Sequence, residues 1–351
     1  MFGYNNHIVQ ADLQEITCTP IQWFEFQHKT ILVTGANSML GTYLIYTFLY
    51  LADKKGMDVK IVALSRSLDK TRELYKEFLD KPYFLILHQD ICEPISCKGC
   101  VDYIYHFAGN ASPFYIKNDP VGIVRSNLLG TFNVMELARD KEPDKVVFAS
   151  TREVYGETSF SLLAEEDSFG KINPLDSRSC YPESKRAAET VLKSYFDQYG
   201  IKSVIARIAH SYGPGMKIDH DGRVMSDFIY NAVHGQNIVL QSDGSAIRSF
   251  CYINDTILGL LQITLYGSVG KAYNLANETE PMPIREVAQL ITRSFPERNI
   301  KVEFANGESK HQEGYCNYPR VALDTRRMEA LGFLPQVSLK EGIVRTIKSF
   351  E

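Results

Sequence analysis

A short apolar run, Thr30-Ile31-Leu32-Val33, meets a glycine turn, Gly35-x-x-Ser38-x-x-Gly41, and an apolar helical pattern follows from Met39 to Leu51. A strand that turns through glycine directly into a helix commits the chain to a β-α-β unit. The same alternation continues downstream, with apolar runs at Val59–Leu64, Phe84–Leu87, Tyr103–Phe107 and Lys145–Ala149. Strands alternating with helical stretches predict an α/β fold, a Rossmann-type doubly wound parallel sheet covered on both faces.

The glycine turn has a chemical reading as well. Its first glycine, Gly35, permits the tight turn, and Gly41 lets helix and strand approach. Asn37, Ser38, Met39 and Leu40 lie between them, where the N–H groups of a helix N-terminus can receive a pyrophosphate. Serine at the middle position departs from the all-glycine pattern. After the second apolar run stands Ser65-Arg66-Ser67, where an NAD-specific fold usually carries an acid against the ribose 2′-hydroxyl. A guanidinium flanked by hydroxyls suits a 2′-phosphate better, so the expected cofactor is NAD(P), with NADP favoured over NAD. Asp90 and Ile91, after the third run, are placed to contact the adenine.

Further along, Tyr181 and Lys185 sit four residues apart, and Ser150-Thr151 precedes them by about thirty residues. Residues at i and i+4 share one face of a helix. An ordinary tyrosine has a pKa of about 10. A positive charge about 4 Å away, at an effective dielectric near 20, is worth roughly 4 kcal/mol, on the order of three pKa units. A tyrosine so placed is expected to serve as a general base near neutral pH.

Composition removes several other classes. The 351-residue chain, 44% hydrophobic, can bury one large core or a core and a smaller lobe. A net charge of −4 leaves no electrostatic footprint for nucleic acid. No run approaches eighteen apolar residues, so no membrane span is expected, and the first thirty residues lack a signal pattern. A soluble cytoplasmic protein is the expectation. Seven scattered cysteines do not form a disulfide framework. Cys97-Lys98-Gly99-Cys100 has no second pair to complete a zinc site and reads as free thiols in a connecting loop.

Several longer stretches carry a family resemblance covering Thr30 to Phe350. They include His106–Pro113 (HFAGNASP), Asn127–Asn133 (NLLGTFN), Ser150–Gly156 (STREVYG), Arg178–Arg186 (RSCYPESKR), Tyr212-Gly213-Pro214 and Arg248-Ser249-Phe250. The chain resembles the extended short-chain dehydrogenase/reductases acting on nucleotide-activated sugars, and within them the UDP-glucuronate decarboxylases. The resemblance implies an enzyme in which a nicotinamide cofactor oxidises the sugar at C4 and later returns the hydride. Tyr181 would take the 4-hydroxyl proton, Thr151 would hydrogen-bond that hydroxyl, and Lys185 would hold the ribose. Glu153 matches a carboxylate kept beside the sugar. Phe107, Ala108 and Gly109 would border the cofactor. Ala111, Ser112, Arg223 and Arg248 would meet a nucleotide-diphosphate sugar. A homodimer is also implied.

Three positions depart from that pattern. Arg152 stands where the decarboxylases carry serine and the sugar dehydratases aspartate, and it suits a substrate carboxylate or a surface pair with Glu153 or Glu157. His210 replaces an asparagine near the substrate, and Gly215 replaces an arginine. Decarboxylation, epimerisation, NADPH-dependent reduction and a non-catalytic NADP sensor therefore remain open readings. Organisation is expected as an N-terminal extension (1–27), a dinucleotide domain (28–206 plus about 248–276) and a smaller discontinuous C-terminal lobe (207–247 and 277–351). The pattern beyond Arg207 reads as irregular, with Gly213-Pro214-Gly215 and Asp219-His220-Asp221-Gly222 as loop signals. Trp23, Phe24 and Phe26 of the extension are expected to pack on the domain or on a partner subunit.

Overall fold

The computed structural model describes residues 2–157, 163–219, 221–305 and 322–351. His220 of the loop signal and residues 306–321 of the expected lobe lie outside them. Seven strands form the central sheet: β1 (Lys29–Thr34), β2 (Val59–Ser65), β3 (Phe84–His88), β4 (Tyr103–His106), β5 (Lys145–Thr151), β6 (Ser203–Ile208) and β7 (Ala272–Leu275). Their order is β7-β6-β5-β4-β1-β2-β3, and every pairing is parallel. Chain order reverses on either side of β1, which pairs with β4 at Val33 opposite Tyr105 and with β2 at Val33 opposite Ala63. A ligand crevice is expected at the carboxyl ends of the strands beside that reversal.

Alternate residues of β1 feed two cores. Ile31 and Val33 join one apolar cluster with α2 (Met39–Lys55), while Leu32 joins the other, with residues of α5 (Pro120–Lys141) and α6 (Cys180–Tyr199). Both sheet faces are thus buried, which is why these strands read as continuous apolar runs rather than alternating ones. α3 (Leu68–Leu74) and α4 (Pro113–Asn118) are shorter connectors. Ser38 caps α2 by accepting from the Gly41 N–H at 3.0 Å, and Gly56, at φ 68°, ends it in the left-handed region.

The chain beyond Arg207 is more regular than its sequence suggests. After α7 (Val224–Val233), α8 (Ile253–Tyr266) runs beneath the sheet and β7 rejoins it beside β6. All residues from Ile253 to Thr264 are buried, polar Asn254, Asp255, Thr256, Gln262 and Thr264 included, so α8 is covered all round and shows no amphipathic stripe. α9 (Ile284–Ser294), α10 (Arg326–Glu329) and α11 (Leu339–Lys348) follow. Short two-stranded pairs join Ile238–Leu240 to Val302–Phe304 and Ile247–Arg248 to Met282–Pro283.

The N-terminal segment forms a helix, α1 (His7–Cys18), capped by Asn6. Val9, Leu13 and Ile16 face the core, and fully buried Asp12 lies among them. Its carboxylate accepts from Tyr43 of α2 (2.9 Å) and from Tyr252 (2.7 Å), and pairs with Arg345 of α11 at 2.7 Å. Phe26 packs edge-on against Phe48, centroids 5.1 Å apart, and tilted against Tyr103 at 5.3 Å. Trp23 is half-buried with its indole N–H on the Thr19 carbonyl, whereas Phe24 is 68% exposed.

Candidate active site

The carboxyl ends of β1, β2, β4 and β5 open onto a cleft of about 1280 Å³. Gly35 is required at its floor: φ is 65°, and a Cβ would stand 2.8 Å from the Ala108 nitrogen. Gly41 lies just behind the wall, where a Cβ would come within 2.4 Å of the Gly35 carbonyl oxygen. With Gly41's N–H taken by Ser38, the first-turn N–H groups of Met39 and Leu40 remain for a bound anion.

One hydrogen-bonded chain ties this turn to the far wall. The Thr34 hydroxyl accepts from the N–H groups of Phe107 and Ala108, each at 3.1 Å, so its own proton goes to Nδ1 of His106 at 2.8 Å. The His106 proton therefore sits on Nε2 and meets the Thr131 hydroxyl at 3.1 Å, and Thr131 donates to the Asn127 carbonyl at 2.6 Å. Burial keeps this imidazole neutral, its pKa pushed down to about 3. The network holds Phe107-Ala108-Gly109 as a fixed shelf.

Tyr181 and Lys185, both buried, project from the first turns of α6 into the same cleft. Lys185 donates to the Ala149 carbonyl at 2.8 Å and lies 4.5 Å from the centre of the Phe148 ring. Burial lowers its pKa to about 8, with Glu189 opposing the change. Burial raises the phenol of Tyr181 well above its usual range and Glu153 adds to the rise, while Thr151, Arg223 and Arg178 act against it. The simple expectation of a phenol lowered by its lysine neighbour therefore does not describe the resting site, because desolvation outweighs attraction. Behind this pair, Ser150 donates to Glu189 at 2.5 Å, and Arg207 grips the same carboxylate at 2.6 and 3.0 Å.

Every residue expected at the cofactor or the substrate lines this cleft except Gly41: Asn37, Arg66, Asp90 and Ile91 at one end, Ala111, Ser112, Arg152, His210, Arg223 and Arg248 at the other. Asn37 donates to the Ser65 hydroxyl at 2.8 Å, and Arg66 stands exposed at the rim with Lys70 nearby. The Asp90 carboxylate accepts from the Cys92 N–H at 2.9 Å. Ser112 donates to the Asp221 carbonyl at 2.9 Å, and buried Asp221 pairs with Arg223. His210, at φ 45°, donates through Nδ1 to the Ser249 carbonyl at 3.0 Å. Arg152 enters no ion pair among the described residues; its neighbour Glu153 is held instead by Arg178 through two bonds of 2.7 and 2.9 Å.

Sequence reasoning passed over Arg178 and Asn127 as site residues. Asn127 donates to Ser184 at 2.8 Å, but its buried Oδ1 has no partner among the described residues and would stand only 2.7 Å from a Cβ at Gly109. Arg178 could have been found from its place three residues before Tyr181, at the 3-10 turn (Ser177–Ser179) that enters α6. Lys217, also unremarked in the sequence, reaches across the cleft to the rings of Tyr115 and Phe114 at 5.5 and 6.0 Å.

The glycine cradles at Gly35 and Gly109, the orphaned Asn127 oxygen and the open helix N-terminus fit a dinucleotide. Together with the strand order and the Tyr181–Lys185 pair, they define an α/β protein of the short-chain dehydrogenase/reductase class. The model of the NAD dependent epimerase/dehydratase family matches residues 31–276, and the chain belongs to that family. The chain is 33% identical over 315 residues to UDP-glucuronic acid decarboxylase 5 of Arabidopsis thaliana, covering 89% of this chain and 86% of that one. It is 32% identical to UDP-glucuronic acid decarboxylase 1 of Danio rerio, over 93% and 73% of the two chains. Among solved structures, UDP-glucose 4-epimerase of Thermotoga maritima with UDP-glucose superposes with a TM-score of 0.76 at 20% identity, over 92% of this chain and 98% of that one. A dTDP-glucose 4,6-dehydratase of Bacillus anthracis in complex with NAD gives 0.73 at 20% identity, over 92% and 96%. At such identities these two likenesses speak for the fold alone.

Proposed function

We propose that this enzyme modifies a nucleotide-diphosphate sugar through a 4-keto intermediate, in the manner of a UDP-glucuronate decarboxylase. The observation that carries the reading is the convergence of Thr151, Glu153, Tyr181 and Lys185 on one cleft that also receives the Arg152 guanidinium. A nicotinamide held in the cleft would supply hydride transfer from the sugar's C4 and back to it. Tyr181 takes the proton of the 4-hydroxyl, which Thr151 orients, and Lys185 holds the ribose. A ketone at C4 lets the C5–C6 bond break with its electrons flowing toward the ketone oxygen, CO2 departs, and the enolate left behind takes a proton from water at C5 before C4 is reduced again. Arg152 pairs with the C5 carboxylate before that cleavage, and Arg223, Arg248 and His210 serve the diphosphate and the sugar. A smaller lobe built from 207–247 and 277–351 closes over the nucleotide sugar.

Incubation with UDP-glucuronate should release CO2 and yield a UDP-pentose by mass spectrometry. Turnover of a neutral nucleotide hexose without CO2 would move the assignment to an epimerase. Arg66 favours a second reading, a reductase that consumes NADPH, and a requirement for added NADPH would identify it.

At the 2′-position, Arg66 between Ser65 and Ser67 supports NADP over NAD. Titration should show roughly tenfold tighter binding of NADP, about 1.4 kcal/mol, and Arg66→Ala should erase the difference. A homodimer is supported by the exposed apolar side chains of Leu129 and Phe132 on α5 and Tyr199 on the adjoining α6. Six free thiols among the described cysteines suit a reducing, cytoplasmic compartment.

A further inference from the structure

Glu153 and Tyr181 line the same cleft, and the carboxylate's charge opposes loss of the phenolic proton. Yet Glu153 does not stand alone. Arg178 holds both of its oxygens, at 2.7 and 2.9 Å, with the two side chains only 14% and 21% exposed. A two-point guanidinium–carboxylate pair fixes orientation as well as charge. The two partners come from separate turns. Glu153 follows β5 in the 3-10 turn Arg152–Tyr155, and Arg178 lies in the turn that leads into α6, three residues before Tyr181.

We propose that Arg178 is a positioning residue of the reaction: through its grip on Glu153 it fixes that carboxylate and cancels its field at the Tyr181 hydroxyl, so that the phenol can release a proton. The proposal rests on the reading of Tyr181 as the base. The other groups around the phenol leave this task to Arg178. Thr151 faces it from β5 as a neutral hydroxyl. Arg223 reaches it from the segment before α7, but its charge is matched by Asp221. Ile116 of α4 and Ile123 of α5 are apolar neighbours, packed with Tyr115 and with Cys180, whose thiol burial keeps protonated at neutral pH. On α6 itself, Lys185 sends its ammonium to the Ala149 carbonyl. Arg152 enters the cleft from the residue before Glu153, and no ion pair ties it to that carboxylate among the described residues.

The test titrates the phenol directly. NAD-loaded protein carrying ¹³Cζ-tyrosine is followed by NMR from pH 6 to 11, and the resonance missing from Tyr181→Phe identifies Tyr181. Arg178→Gln should move its titration to higher pH by about one unit, a shift of the size a nearby uncompensated charge produces. Arg178→Lys, which keeps the charge, should move it less. Arg178→Gln with Glu153→Gln should return it toward the wild-type midpoint, because both charges are then gone. An unmoved midpoint in Arg178→Gln overturns the proposal, as does a double variant that stays displaced, since loss of packing rather than charge would then be the cause. A wild-type Tyr181 that does not titrate below pH 11 overturns it as well. Failure of the wild type to convert UDP-glucuronate would count against the functional reading alone and would leave this titration to be judged on its own.

Discussion

Burial moves Tyr181 and Lys185 in opposite directions, the phenol up and the ammonium down to about 8. Both changes follow from one cause, the cost of a charge out of water. Replacing Tyr181 by Phe removes only the ionisable hydroxyl, so turnover should fall by at least about a thousandfold, within the range of acid–base catalysis, with cofactor affinity nearly unchanged by calorimetry. Lys185→Ala should damage both, because in the proposed mechanism that side chain serves ribose and base together. The lowered lysine pKa also sets a pH dependence. Below about 8 Lys185 is an ammonium, and above it an amine, which in the proposed mechanism would hold ribose oxygens less well. Affinity for the dinucleotide should therefore weaken roughly tenfold between pH 7 and 9.5 as the proton is lost, and the trend should be flat in Lys185→Met. A wild-type Kd independent of pH would remove the charged lysine from the binding site.

At the scale of elements, β1, its turn and α2 act as one unit whose tolerance is set by backbone contact. A methyl group at position 41 would meet the Gly35 carbonyl oxygen at 2.4 Å, and that oxygen belongs to main chain that cannot swing aside. Gly41→Ala should therefore cost about 2 kcal/mol in urea denaturation, as overpacking does, and should weaken dinucleotide binding even though residue 41 does not line the cleft. This unit was legible in the sequence because parallel strands buried on both faces announce themselves as apolar runs, and glycine marks the tight turn. Other elements were not. α8 is buried from Ile253 through Thr264 on every side, polar residues included, so no solvent-facing stripe marks its helical period in the sequence. α1 hides an apolar face at Val9, Leu13 and Ile16 within a polar segment, and Asp12 on that face argues against burial until its partners are known. The Glu153–Arg178 pair joins residues from two different turns, a contact that local spacing does not display. Tyr181 and Lys185 were legible for the converse reason: four residues on one helix is a local relation.

Across the whole molecule, Asp12 is the point at which three distant parts of the chain meet. Tyr43 reaches it from α2, Tyr252 and Asn254 from the start of α8, and Arg345 from α11 near the C-terminus. Phe2 extends the same brace toward the cleft: its ring lies 6.3 Å from that of Tyr43, and a Cβ at Gly215 of the cleft wall would strike it at 2.4 Å. A fully buried carboxylate is retained here because these four side chains all donate to it, and burial without them would be prohibitive. Removing the carboxylate strands those donors. Asp12→Ala should destabilise the protein by about 3 kcal/mol, the lower part of the range for breaking a buried pair, since Arg345 keeps Glu15 and Glu341 as partners. Asp12→Asn should cost less, because its carbonyl oxygen still accepts from Tyr43 or Tyr252. Equilibrium urea unfolding of the three proteins checks the order. Equal losses for Ala and Asn would mean that the charge pairing with Arg345, rather than the hydrogen bonds of the two tyrosines, holds the N-terminal helix against the rest of the fold.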